Sequence, residues 1–361
     1  MLMSDLNSTE RALIDYYRHS ISDKNYQDIH VLGAGFVKDL EGKLSNYYNH
    51  KYCLCVCNAT TALLGIWLSI GIKPGDLILT SPLSYPASIA GMMLLGAIPY
   101  FVDIESDTLG LNPEKVARIL KHNRKIKAVL SIDYYGIPAN SIKLKEITEQ
   151  YKLPLISDSA QSLGSLRAKK PGGYFADIIV TSFGHHKTLY AGEGGAILTN
   201  SKNIYESIIW NISHPEFQKI KIGENNKYAL NSRISPYSAI VANSNFENAL
   251  SNLKHKQEKC FHLIEIMNKS NVIEPIDFKA NDIIPSFYRL SGSWKQNEEF
   301  SILSETLKKN GYVENIYKDD MDLLYNGHQL IKLSENKIRH NLIQLPEAVK
   351  QVKKRFIISV S

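Results

Sequence analysis

Two apolar runs, Ile178-Ile179-Val180 and Ala196-Ile197-Leu198, bracket a loop that carries Lys187 and, after it, Gly192, Gly194 and Gly195. Such runs read as short buried strands, so the lysine between them lies beside a low-dielectric core. Desolvation there disfavours the ammonium and lowers its pKa, and a neutral amine condenses with a carbonyl carbon to form a Schiff base. Upstream, Asn58-Ala59-Thr60-Thr61-Ala62 joins a strand end to a helix. Free amides at a helix start, the helix dipole and the hydroxyls of Thr60 and Thr61 suit a phosphate. Tyr85 opens a later helix and offers a face for a flat heterocycle. Asp158, within Ser157-Asp158-Ser159-Ala160-Gln161, follows an apolar strand, where a carboxylate in a crevice pairs well with a protonated ring nitrogen. Ser182 adds a hydroxyl at a strand end. Each residue also has an ordinary structural use: Asn, Asp and Thr cap helices, tyrosines pack in cores, and loop lysines are usually solvated.

The elements that must position these residues alternate. Strands are expected at 52–57, 77–80, 99–102, 128–132, 155–157 and 178–182, with helices at 37–48, 61–70, 84–95, 113–120 and 141–151. Helices interleaved with short apolar strands predict an α/β fold with a mostly parallel sheet, and ligands bind beyond the carboxyl ends of such strands. Residues 1–30 read as a helical lead-in and 201–234 as polar and weakly patterned. Residues 235–269 read as one long helix or a kinked pair. Beyond 272, a strand at 287–290, a helix at 300–310 and a final strand at 356–360 predict a smaller α+β domain. The expected division is 1–240 for the large domain and 241–361 for the small one.

Composition bounds the function. The chain has 361 residues, 44% apolar and 22% charged, with a formal charge of +6. The charge is dispersed, with short clusters at Lys169-Lys170 and 350–355, and no helix-turn-helix with a basic recognition helix is visible, so nucleic acid is not expected as a partner. The most apolar run, 87–98, is too short to span a bilayer, and the N-terminus lacks a signal-peptide core, so a cytoplasmic protein with no membrane partner is expected. Cys53, Cys55 and Cys57 alternate along one strand face and read as buried reduced thiols, with no metal site expected.

Taken together, a phosphate turn, an aromatic lid, a carboxylate and a desolvated lysine on one sheet edge are the parts that pyridoxal 5'-phosphate requires. The chain resembles the DegT/StrS family of pyridoxal-phosphate sugar aminotransferases, of aspartate-aminotransferase-like fold type I, from about Leu32 to about residue 245. The resemblance rests on Asn58 to Leu63, Pro74-Gly75-Asp76, Gly96 to Pro99 with Val102-Asp103, Tyr135-Gly136, and Asp158 to Gln161. It rests also on Ser182-Phe183 through Lys187 to Gly192-Glu193-Gly194-Gly195-Ala196, and on Asn231 to Ile234. It implies that Lys187 holds the cofactor as a Schiff base, Asp158 pairs with the ring nitrogen, Tyr85 stacks on the ring and Gln161 lies near its phenolic oxygen. Ala59, Thr60, Thr61 and Ser182 would form the phosphate site. Asn231 would reach the phosphate of a neighbouring subunit, which implies a homodimer with shared active sites.

The activity implied is a ping-pong transfer of an amino group from an amino acid, glutamate first, to a keto group of a nucleotide-linked sugar. An aminocyclitol or other non-sugar ketone is an alternative acceptor. A deoxysugar dehydratase would carry histidine where this chain has Lys187, and a non-catalytic regulator would need a DNA-binding module. Three departures from the family pattern bear on the acceptor: Ala59 in place of glycine, Gly184-His185-His186 ahead of the lysine, and no proline-rich segments after residue 290.

Overall fold

The computed structural model describes residues 7–23, 32–296, 298–313, 315–319, 323–324 and 345–360. Strands β1 (Tyr52–Val56), β2 (Leu77–Thr80), β3 (Ile98–Phe101), β4 (Ile126–Ile132) and β5 (Leu155–Asp158) are followed by two-residue β6 (Leu166–Arg167) and β7 (Lys170–Pro171), then β8 (Ile178–Ser182) and β9 (Gly195–Thr199). Seven of them form one sheet in the order β1-β9-β8-β5-β4-β2-β3. Pairing is parallel from β8 across to β3, while β9 runs antiparallel to both β8 and β1. The expected mostly parallel sheet is therefore present.

Alternation along the buried strands sends neighbouring side chains to opposite layers. Val180 and Ile197 pack with Leu63, Ile66 and Trp67 of the helix Ala59–Ser69 and with Ile209 and Ile212 of the helix Lys202–Ile212. Ile179 and Leu198 face the other way, onto Leu40, Leu44 and Tyr48 of the helix Phe36–Tyr48 and Ala242 and Phe246 of the helix Pro236–Lys269. Cys53 and Cys55 are buried in that second layer as free thiols.

The helix Pro236–Lys269 is a single element of 34 residues. Its first turns sit in the sheet core, and its later residues Cys260, Leu263 and Met267 pack with Trp294, Leu303, Phe356 and Ile358. Leu303 lies on the helix Phe300–Lys309, and Phe356 and Ile358 belong to a small antiparallel sheet. After the short β10 (Ile283–Ile284), which joins β6 and β7, come β11 (Leu290–Ser293), β12 (Asn315–Lys318) and β13 (Arg355–Ser359), in the order β11-β13-β12. The helix Pro346–Lys354 returns to the large sheet. Asp103, after β3, pairs with Lys115 and accepts the amides of Glu347 (3.2 Å) and Ala348 (2.9 Å), so one carboxylate caps a helix that lies far away in sequence.

Two expectations needed correction. The stretch 201–234 is ordered as two helices, Lys202–Ile212 and Pro215–Ile222, capped by Ser201 and His214. Ile204, Ile208 and Ile212 recur at helical spacing there, a signal diluted by polar neighbours. The strand expected at 287–290 begins at Leu290, because Phe287 has φ +49° and interrupts extended backbone. The helical lead-in is present as the helix Ser8–Ser22, and residues 1–6 and 24–30 of that expectation lie outside the described residues. Among the described residues no helix is long and apolar enough to cross a membrane.

β1 is an edge strand, and its outer edge is covered rather than left open. Glu41 accepts the Cys55 amide at 2.9 Å, and the Cys57 amide donates to the Ser232 carbonyl at 2.7 Å. Burial raises the Glu41 carboxyl from 4.5 to about 7, against the lowering effect of the Cys55 amide. The folded protein thus keeps a proton that the unfolded chain releases near 4.5. The stability this provides is fully present below that value and is lost as pH rises through about 7, a swing of about 3 kcal/mol. Glu41→Gln keeps an acceptor for Cys55 and does not titrate. Its thermal midpoint is expected to fall much less than that of the parent between about pH 4.5 and about pH 7.5; equal slopes would contradict the assignment.

Candidate active site

A cavity of about 710 Å³ opens beyond the carboxyl ends of the parallel strands. The strand ends supply Asp133 after β4, Asp158 at the end of β5 and Ser182 at the end of β8. The turn after β1 supplies Asn58, Ala59 and Thr60, and the segment after β2 supplies Ser84 to Ser88, including Tyr85. Lys187, His185 and Glu193 come from the loop between β8 and β9. Right-handed crossovers between parallel strands return each loop to the same edge, which is why residues spread over the chain converge there.

The turn after β1 is built by capping. Asn58 Oδ1 accepts the Thr61 amide at 2.8 Å and the Thr61 hydroxyl at 2.9 Å. That leaves the Ala59 and Thr60 amides, at the positive end of the helix dipole, without an acceptor among the described residues. Gly195 allows this turn to form. A Cβ there would lie 2.8 Å from the Thr181 carbonyl oxygen and 2.9 Å from the Ala59 nitrogen, so β9 approaches the helix start more closely than any other residue permits.

Asp158 is buried, and burial raises its carboxyl above the usual range. Ser88 Oγ at 2.6 Å, the Ala160 amide at 3.1 Å and the charge of Lys187 oppose that rise. Lys187 shows the converse. Burial lowers its pKa from 10.5, and the Asp158 charge pulls it back up. Its ammonium nitrogen lies 4.5 Å from the centre of the Tyr288 ring. Asp133 is a second buried carboxyl, raised to about 6 by desolvation although Ser162, the Ala139 amide and Ser159 all donate to it.

The structure brings Lys187, Asp158, Ser182, Thr60, Ala59, Tyr85 and Gln161 to one cavity. Tyr85 is 70% exposed at its mouth. Gln161 is oriented by the Tyr135 amide, which donates to its Oε1 at 2.8 Å. Thr61 and Asn231 are not among the cavity residues: the Thr61 hydroxyl is turned to Asn58, and Asn231 is exposed near the bridge between Val56 and Arg233. Sequence reasoning missed Ser88, Asp133, Tyr288 and Arg289. The last two arrive on a strap that precedes β11. Ser286 donates through its amide to the Gly136 carbonyl at 2.9 Å and through its hydroxyl to the Gln161 carbonyl at 2.8 Å. A Cβ on Gly136, at φ +82°, would sit 2.1 Å from Ser286 Oγ, so the Tyr135-Gly136 pair is the seat of that strap. Nothing local in the sequence marks it, because the contact joins residues about 150 positions apart.

A parallel sheet carries a desolvated lysine and a capped helix start at its strand ends, and the comparisons give that arrangement its class. The profile of the DegT/DnrJ/EryC1/StrS aminotransferase family matches residues 27–339, and the chain belongs to that family. It is similar to the UDP-2-acetamido-2-deoxy-3-oxo-D-glucuronate aminotransferase of Pseudomonas aeruginosa, with 31% identity over 202 residues. That alignment spans about half of each protein, 55% of this chain and 55% of the relative. It is also similar to the GDP-perosamine synthase of Escherichia coli O157:H7, with 25% identity over 86% of this chain and 82% of that one. Among solved structures, a DegT DnrJ EryC1 StrS aminotransferase from Brucella abortus superposes with a TM-score of 0.73 at 22% identity, covering 99% of this chain and 93% of that chain.

The lysine and the aspartate are electrostatically coupled, so each reports on the other. In cofactor-free protein, acylation of Lys187 followed by mass spectrometry is expected to have a pH midpoint below 10.5. Asp158→Asn removes the charge that stabilises the ammonium, so the midpoint moves lower still. A midpoint that rises in the variant would contradict the coupling.

Proposed function

We propose that this protein is a pyridoxal-phosphate-dependent aminotransferase that passes nitrogen from an amino acid, glutamate first, to the keto group of a nucleotide-linked sugar. The observation that carries the reading is the pairing of Lys187 with Asp158, both desolvated, in one cavity with a free helix start. The similar proteins named above carry nucleotide sugars in their names, and this supports the acceptor class.

The residues present fit the cofactor. The Ala59 and Thr60 amides, the Thr60 hydroxyl and Ser182 would hold its phosphate, and Tyr85 would lie over its ring. Ser182 Oγ accepts the Gly184 amide at 3.3 Å, so its own proton is available to an anion. When bound, pyridoxal phosphate supplies an aldehyde that condenses with amines and a ring that takes up the electron pair released at Cα. Asp158 would keep a proton on the ring nitrogen, which this buried carboxylate favours because a cation beside it relieves its desolvation. Ser84 and Ser88, linked at 2.6 Å, fix the carboxylate in place. Lys187, with its ammonium disfavoured by burial, would take the Cα proton as a base and return it as an acid to the carbon that had been the cofactor's aldehyde. The same lysine is the point of covalent attachment between turnovers.

In the proposed homodimer Asn231, exposed on its own protomer, would reach the phosphate site of the second copy.

Purified protein given the cofactor is expected to absorb in the visible, and borohydride is expected to fix the cofactor mass on the peptide that contains Lys187. Protein that takes up no cofactor overturns the reading. Lys187→Ala is expected to lower turnover by about a thousandfold or more with an unchanged circular dichroism spectrum. Mixing Lys187→Ala subunits with Asn231→Ala subunits is expected to restore part of the activity, because one site of each mixed dimer receives both intact residues. Mixtures as inactive as their parents would count against the shared site.

A further inference from the structure

Behind Lys187 lies a second recess, of about 370 Å³, between the loop that carries the lysine and the helix Pro236–Lys269. Lys187 and Tyr288 line both openings, so the recess and the main cavity share a wall. The histidine pair divides between them: His185 faces the main cavity and His186 the recess, with ring centres 3.6 Å apart.

The helix presents Asn245, Asn248, Asn252 and Lys256 to this recess. Steps of three, four and four residues place them in a row on one helix face. None of the four has a hydrogen-bond or ion-pair partner among the described residues. Nor does the recess contain an aspartate or glutamate. A row of amides is usually a solvated face, but here the row ends in a half-buried lysine whose ammonium is disfavoured by burial. A cation withdrawn from water, with carboxamide donors beside it and no acid to neutralise it, is a setting for an oxyanion.

The geometry points to the recess as an oxyanion subsite of the active centre, with Lys256 and the Asn245-Asn248-Asn252 row holding a phosphate or carboxylate of a substrate while its reacting carbon is at Lys187. This assignment rests on the function proposed above and extends it to substrate recognition. Two sources offer that chemistry, the diphosphate of a nucleotide-linked acceptor and the carboxylate of the amino donor. The diphosphate matches the length of the row better, since several donors in line suit several oxygens.

The test uses cofactor-loaded protein, so that the phosphate turn is already filled. Inorganic pyrophosphate binding is measured by calorimetry, and the glutamate half-reaction is followed from the cofactor spectrum, for the parent, Lys256→Gln and Lys256→Arg. Pyrophosphate affinity is expected to fall about tenfold or more in Lys256→Gln, to recover in Lys256→Arg, and to leave the glutamate dependence unchanged. A tenfold rise in the glutamate concentration needed, with pyrophosphate unaffected, also supports the subsite and assigns it to the donor. Unchanged values in both measurements overturn the proposal. If the protein takes up no cofactor, the function reading fails by its spectrum, while dependence of pyrophosphate binding on Lys256 is still read.

Discussion

The site depends on the desolvation of ionisable groups at the ends of parallel strands. Asp158, Asp133 and Lys187 are all held where water is scarce, and burial pushes each toward its neutral form. That arrangement costs stability, since an unmatched buried charge is among the more expensive features a fold can hold. Local donors offset part of the cost. Ser88 and the Ala160 amide serve Asp158, while Ser159, Ser162 and the Ala139 amide serve Asp133. What is left over is a lysine and a carboxylate whose mutual attraction is the main remaining compensation. A ligand that brings a positive ring beside Asp158 and a carbonyl beside Lys187 would satisfy both.

The second constraint is that part of the cavity wall comes from a segment far along the chain from the strands that form its floor. Tyr288 and Arg289 reach it because Ser286 is bonded to the Gly136 and Gln161 carbonyls. Further out, the Tyr135 hydroxyl donates to Asp319 at 2.7 Å, just after β12, and the Asp319 amide donates to the Arg355 carbonyl at 3.1 Å. Asp103 holds the returning helix Pro346–Lys354 from the sheet side. These ties are polar and few, and each joins a backbone group or a fixed side chain, so they set the orientation of the small sheet more than they add to its stability. A change in any of them would move the wall that Lys187 faces.

Much of this was legible in the sequence because the informative signals are local. Apolar runs of three to six residues marked the strands of the large sheet, and polar residues at or beyond several of their ends marked the edge where chemistry collects. Lys187, Asp158, Ser182, Thr60 and Tyr85 were found that way. Thr61 shows the limit: a hydroxyl at a helix start reads equally as an anion donor and as part of a cap, and here it donates to Asn58. The strap at 286–289 was read as a strand because Phe287 and Leu290 are apolar, whereas its role comes from contacts to residues 136 and 161 that no local pattern encodes. The helices at 202–222 were missed for a different reason, since their apolar residues are spaced correctly but separated by polar ones in a stretch rich in Asn and Lys.

The departure at Gly184-His185-His186 acquires a physical meaning from the backbone. His186 has φ +62°, a left-handed conformation that a side chain adopts at a cost of about 1 kcal/mol. That turn is what sends successive histidines into different openings, and Lys187 follows it directly. The residues at the strand ends are committed: Asp158 to its serines, Asn58 to its cap, Gly195 to the close approach of β9. They have little room to vary with substrate. The side chains of His185 and His186 and of the helix row Asn245, Asn248, Asn252 and Lys256 make no hydrogen bonds among the described residues, and both sets border Lys187. On the proposal made above, discrimination between acceptors would fall to them, with the two histidines that replace the family pattern beside the recess.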